Sequence, residues 1–239
     1  MTIKRRQFLG GMAAGSTILT MPAFLQGCGV QTATTVSGAT PENPFMTWFG
    51  VDQATTVRVM SELTASGADT ADLYFQHSRS NSLTLEDGIV SAANSSIEQG
   101  VGLRVVVGEQ TGYAFTEDLT MPSMLAAART ASAIASGSGE VAPQSFNPLG
   151  AGTLYQTSVL WSDVGIDQKL PVLKFVEEKA KSMDPSIDKV AVYWADADER
   201  VMIATLDGHL VTDHRPMTRV TVVVTARKGD EVQTGYSNI

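Results

Sequence analysis

The sequence predicts an α+β protein made of two helix-plus-sheet units with antiparallel or mixed strands. Three observations carry this expectation. Between Ala71 and Leu119, apolar and polar residues alternate with a period of two, the signature of strands with one face on a core. Three other stretches carry apolar residues at helical spacing. The order of helix, strand, Asp-Gly turn and valine-rich strand then occurs twice.

Taking the elements in order, Val51–Ser66 is expected to be a helix, with Ala54, Val57, Met60 and Leu63 on one face and Gly67 as its stop. The alternating region reads as a meander of about five short strands. Leu73, Phe75 and His77 form one face of the first strand, and Leu103, Val105 and Val107 one face of a later one. Turns are expected at Asp87-Gly88, at Gly100 with Gly102, and at Gly108-Glu109-Gln110. A second helix should run from Thr120 to about Ser136, with Pro122 in its first turn. Glycine and proline then punctuate residues 137–152, an irregular linker. A third helix is placed at Leu170–Met183, with Pro171 in its first turn. Strands follow at Lys189–Trp194, Val201–Leu206, His209–Thr212, Arg219–Ala226 and Glu231–Ser237.

Leu85–Val90 answers Thr205–Leu210, and Thr111-Gly112-Tyr113 answers Thr234-Gly235-Tyr236. Two readings stand: a true internal repeat, or the ordinary recurrence of Asp-Gly turns and valine runs in a β-rich chain. A repeat would divide the chain into units at 51–140 and 165–239. The last strand would leave an unpaired edge unless it folds against the valine strand before it.

The 239 residues are 43% hydrophobic and 18% charged, ordinary for a folded domain. Net charge is −8, and loss of a leader carrying Lys4, Arg5 and Arg6 but no acid would take it to −11. A chain that acidic, without a basic stripe, is not expected to bind nucleic acid. One cysteine excludes an internal disulfide framework.

Residues 1–27 read as an export signal. Arg5-Arg6-Gln7-Phe8-Leu9 resembles the twin-arginine motif, and the weakly apolar stretch to Phe24 is too short and too polar to span a bilayer stably. Leu25-Gln26-Gly27-Cys28 resembles a lipobox, which makes Cys28 the candidate lipidation site; simple cleavage near Ala23 or beyond is the alternative. Residues 28–50 are expected to be a flexible spacer. The protein should then lie in the periplasm or cell envelope, touching the membrane only through a lipid anchor.

Other candidate chemistry is weak. Asp207, His209, Asp213 and His214 could suggest a metal site, but histidines five apart on one strand point to opposite faces. His77 shares a face with Leu73 and Phe75 and is expected to be a core or interface histidine. Asp196-Ala197-Asp198-Glu199 fits a hairpin tip and lacks the ligand series of a calcium loop. Ser91, Ser95 and Ser96 have no nucleophile context. Gly100-Val101-Gly102 leads into strand-like residues, which argues against a phosphate cradle. Arg104 and Arg219 open valine strands and are expected to pair with acids rather than meet a peptide carboxylate.

Glu98-Gln99-Gly100-Val101-Gly102-Leu103-Arg104-Val105, followed by Gly112-Tyr113-Ala114-Phe115-Thr116 and preceded by Leu85-Glu86-Asp87-Gly88, resembles the N-terminal domain of the TldD/PmbA metallopeptidases. The resemblance runs from about Val51 to the last residue and makes Gly100, Gly102, Arg104, Gly112 and Tyr113 motif residues of structural importance. It implies a domain that helps to wall a closed chamber, with zinc held by His-Glu-x-x-x-His in a further domain. It also implies a homodimer, or a heterodimer with a PmbA-like partner, that cleaves unfolded or small peptides. None of His77, His209 or His214 is followed by Glu, so no catalytic or metal-binding residue is expected in this chain and no zinc bound to it. The expected role is therefore a catalytically incomplete substrate-chamber domain, whether fragment, truncation or part of a split gene. The alternative is a non-catalytic, lipid-anchored binding or scaffold subunit.

Overall fold

The computed structural model describes residues 43–135, 142–149 and 157–239. The candidate export and lipidation residues Arg5, Arg6, Phe8, Leu9 and Cys28 lie outside the described residues, as do residues 137–141 and 150–152 of the linker.

Helix α1 (Pro44–Phe49) occupies the end of the stretch expected to be spacer. Local chemistry explains it: the Asn43 side chain accepts from the Phe45 and Met46 amides, Pro44 sits in the first turn, and Gly50 closes the helix at φ 69°. Phe45 is fully buried and Phe49 packs against the same core, so two aromatics anchor the helix. Asp52 caps α2 (Gln53–Leu63) by accepting from the Thr55 amide at 2.7 Å. This helix falls inside the expected span, as does α3 (Met121–Ile134).

The meander of short strands is corrected to three strands, two of them long: β1 (Thr70–Glu86), β2 (Ile89–Val107) and β3 (Gln110–Thr116). The turns at Asp87-Gly88 and after Val107 form as expected. Asp87 (φ 48°) and Gly88 (φ 78°) are both left-handed, as a two-residue hairpin of this twist requires. The turn expected at Gly100 and Gly102 does not form. Both lie within β2, paired with Gln76 and Tyr74, because the alternation of Val101, Leu103 and Val105 runs straight through them.

A short strand, β4 (Asn147–Leu149), pairs in parallel with the start of β6, in a stretch expected to be irregular. Helix α4 (Ile166–Lys181) begins one turn earlier than expected and holds Pro171 in its interior. The four strand segments expected between Lys189 and Ala226 merge into β5 (Ile187–Thr205) and β6 (His209–Lys228). Asp196-Ala197-Asp198-Glu199 is therefore mid-strand and not a hairpin tip. β7 (Glu231–Asn238) pairs with β6 over its whole length.

These strands form one sheet in the order β3-β2-β1-β5-β6, with β4 and β7 both paired to β6. β1 and β5 are antiparallel at its centre, so the run α2-β1-β2-β3 is answered by α4-β5-β6-β7. The internal repeat is thus a feature of the fold. Odd-numbered residues of β1 and even-numbered residues of β5 face the helices. One core lies under α1, α2 and α3 and includes Phe45, Phe75, Leu103 and Met202. A second lies under α4 and includes Leu85, Leu173, Val192 and Trp194. The opposite face of the sheet carries no helix among the described residues.

Candidate functional site

Pleating sorts the motif residues onto the two faces of the sheet. Gly100, Gly102 and Arg104 on β2 and Tyr113 on β3 face the helix-free side, while Gly112 faces the helices. On the helix-free side they line an open groove of about 1160 Å³ with Asp72, Tyr74 and Phe115. The glycines shape it. A Cβ on Gly102 would lie 3.0 Å from the Tyr113 hydroxyl, and one on Gly100 would lie 2.8 Å from the Thr116 carbonyl. Only glycine lets the Tyr113 ring lie across the neighbouring strand. Tyr113 and Phe115 remain 57% and 68% exposed, a concentration of apolar surface on an otherwise polar strand pair.

Arg104 is fixed at one side of this groove. Its Nε and Nη2 donate to Asp72 Oδ2 at 2.7 and 2.6 Å, the acid pairing expected for it. Arg219, which opens the valine run of the second half, makes no ion pair among the described residues and lines a separate cavity of about 430 Å³ with Ser95, Ser96 and Met217.

His77 faces the helices. Its ring lies 4.8 Å from that of Trp48 and 6.0 Å from that of Phe49, between α1 and the sheet. Burial there pushes its pKa below the ordinary histidine value, opposed by the Asp198 carboxylate. The other two histidines are separately engaged: His209 lies 3.0 Å from Asp207, and His214 Nε2 lies 2.5 Å from Asp198 Oδ1. Asp213 instead pairs with Arg215 at 2.7 Å. Among the described residues no three His, Cys, Asp or Glu side chains converge to hold a metal ion. They do not fit a zinc centre, and no chemical step is routed through one. Ser91, Ser95 and Ser96 lie on exposed β2 with no hydrogen bond to a histidine or acid among the described residues.

A polar cluster that sequence reading missed lies under α4. Asp196 accepts from Lys169 Nζ at 2.5 Å, from Trp194 Nε1 at 2.6 Å and from Asn81 Nδ2 at 2.8 Å. The Asp196 side chain is fully buried and that of Lys169 is 8% exposed. Lys169 Nζ also lies 5.7 Å from the Trp161 ring centroid. One signal was available: Val190, Val192, Trp194 and Asp196 share a two-residue phase, and no turn-forming residue interrupts it. Glu177, nearby on α4, is also buried. It accepts from the Gly88 amide at 2.7 Å and clamps the helix to the β1–β2 turn.

Comparison with known proteins agrees with this architecture. Residues 71–135 match the family model described as PmbA/TldA metallopeptidase domain 1, and residues 160–238 match that of the PmbA/TldA metallopeptidase central domain. The chain is 28% identical over 195 residues to a metalloprotease TldD homologue of Haemophilus influenzae, covering 81% of this chain and 40% of that protein. It is 25% identical over 178 residues to a TldD homologue of Buchnera aphidicola from Acyrthosiphon pisum, covering 74% of this chain and 37% of that one. Among solved structures, a candidate modulator of DNA gyrase from Bacteroides thetaiotaomicron superposes with a TM-score of 0.63 at 17% identity, over 77% of this chain and 44% of that one. Another from Thermotoga maritima superposes with a TM-score of 0.53 at 17% identity, over 71% and 38%. Those likenesses establish the shared α+β fold. The chain spans about two fifths of the length of the curated relatives it matches. With a domain-1 match on the first half of the sheet and a central-domain match on the second, this chain belongs to the PmbA/TldD metallopeptidase family.

Proposed function

We propose that the chain forms the substrate-chamber wall of an exported TldD-type zinc metallopeptidase acting on unfolded or small peptides, and that it is catalytically incomplete in itself. The groove on the helix-free face carries this reading. Exposed Tyr113 and Phe115 offer apolar contact to side chains of any sequence, and glycine at 102 lets the Tyr113 ring lie across the neighbouring strand. Arg104 and Asp72 supply one charge of each sign beside the rings. Such a surface favours an extended, unfolded chain over a folded one. Zinc and the base that activates water would come from a His-Glu-x-x-x-His motif, which these residues lack. The working assembly would be a homodimer or a heterodimer with a PmbA-like chain, exported by the twin-arginine route and tethered through Cys28.

A labelled, unstructured peptide tests the groove. Anisotropy should report binding, and joint replacement Tyr113→Ala and Phe115→Ala should weaken it about tenfold, the size expected for two aromatic contacts. Equal binding by the double variant would overturn the assignment. Metal analysis should find no stoichiometric zinc on the purified chain, and chelator-sensitive peptidase activity from it would overturn the incomplete-enzyme reading.

The second reading is a non-catalytic lipid-anchored scaffold subunit paired with a PmbA-like chain. The DNA downstream of Ile239 separates the two. An open frame into His-Glu-x-x-x-His supports the first, and a stop followed by an unrelated gene supports the second.

A further inference from the structure

The two halves of the sheet share a topology but not a roof. In the first half, α2 packs on β1 and β2, and α3 packs on β3 and β2 and against α2. Under them Val101, Leu103 and Val105 are at most 1% exposed. α3 approaches so closely that a Cβ on Gly112 would fall 2.0 Å from the Ala131 carbonyl oxygen. Glycine is required at that crossing.

In the second half α4 takes the place of α2, and nothing among the described residues takes the place of α3. Val220, Val222 and Val224 of β6 face the same side as the α4 core and are only half-buried. Beside them β7 presents Gly235, paired with Val224, then Ser237, and the pairing continues to Ile239 opposite Val220. All of β7 is exposed, and a Cβ on Gly235 would meet nothing within 4 Å. Yet Gly235 sits in the same Thr-Gly-Tyr sequence and on the same face as Gly112, two residues further from its hairpin turn. In a half-exposed strand glycine is otherwise unfavourable, since it adds backbone entropy and packs nothing. Helix α4 is unfinished in the same way. Val172, Phe175 and Val176 follow i, i+3, i+4 spacing, and the first two are 44% and 59% exposed. α2 spends its equivalent contacts on α3.

We propose that Val220, Val222, Val224 and Gly235, with the exposed flank of α4, form a docking surface for one amphipathic α-helix. Its facing side carries alanine or another small residue where it crosses Gly235, as Ala131 of α3 crosses Gly112. The apolar strip is continuous with the α4 core, so the helix completes an existing core and does not found a new one.

A tethered helix tests this. Residues Met121–Ala135 are copied onto the chain after Ile239 through a flexible Gly-Ser link, which raises the local concentration of the probe. Amide exchange in β7 should slow about tenfold or more, and Gly235→Leu should abolish that protection. Gly235→Leu without the tether should leave thermal stability unchanged, because its side chain enters open space. The proposal is overturned if protection survives Gly235→Leu, or if a tether with its alanines changed to glutamate protects equally. It is also overturned if the untethered chain sediments as a dimer that Gly235→Leu dissociates, which makes a second copy the occupant. Faster β7 exchange on deletion of residues 1–42 would overturn it in favour of that segment.

Discussion

Residues 70–135 and 166–238 are the same topology under different cover. Leu103 under α2 and α3 is completely buried, and Val222, its counterpart two strands from the sheet's centre, is only half-buried. The backbones pair alike, so strand formation does not depend on which helices lie above. Burial does, and with it the energetic weight of each apolar residue. Composition differs too. The core under α2 and α3 is apolar apart from threonine and serine hydroxyls, whereas the α4 core encloses Lys169, Asp196 and Glu177. The first half is held by area removed from water, and the second in part by one buried ion pair whose carboxylate accepts three hydrogen bonds.

Breaking that pair on one side should produce the largest effect. Asp196→Ala leaves the Lys169 ammonium buried without its carboxylate and should cost about 3–5 kcal/mol. Adding Lys169→Met should restore most of that loss, since the charge itself is then gone. Urea denaturation of the single and double variants checks this, and a double variant as unstable as the single one would contradict it. Leu103→Ala should cost about 2–5 kcal/mol by opening a cavity in the covered half. Val222→Ala, on the uncovered half, should cost about 1 kcal/mol or less. Comparable losses at the two sites would show that the second face is covered in solution.

How much of this was legible in the sequence follows from what each signal encodes. Alternation at Leu73, Phe75, Leu103 and Val105 named the core faces correctly, because a two-residue period is a local property. Strand lengths were misjudged where glycine was taken for a turn. Gly100 and Gly102 are in mid-strand because a ring and a neighbouring carbonyl occupy the space of their side chains, a tertiary cause invisible to local pattern. Asp196 was misjudged for a related reason: its partner Lys169 lies 27 residues away and Asn81 lies 115 away, so a buried acid read as a solvated tip. The groove was half legible. The motif named Gly100, Gly102, Arg104 and Tyr113, but only the paired strands place Asp72, Tyr74 and Phe115 beside them.

Paired glycines sharpen the comparison further. Gly112→Ala would push a Cβ into the Ala131 carbonyl and should destabilise by about 1–3 kcal/mol, as overpacking does. Gly235→Ala meets no neighbour, and trading glycine for alanine in a strand should be neutral or gain a few tenths of a kcal/mol. Differential scanning calorimetry of both variants decides it. A loss at Gly235 matching that at Gly112 would mean that both crossings are occupied.

The smallest expected effect concerns pH and belongs to the covered half. His77 of the first half is packed between α1 and the sheet, where burial holds its pKa below the ordinary value of 6.5. Arg200 and Arg79 push the same way, while Asp198 and the backbone of His77 oppose them. The unfolded chain therefore takes up this proton at a higher pH than the folded one does. Above pH 6.5 both states are neutral at this site and its full contribution to stability is present. As pH falls from 6.5 through the folded-state pKa, that contribution is lost, and below it the loss is constant. His77→Phe keeps an aromatic ring against Trp48 and removes the titration. The difference in urea midpoint between pH 7 and pH 5.5 should be smaller in this variant than in the parent. A His77→Phe variant whose acid sensitivity equals the parent's would show that packing against α1 is not what sets the response.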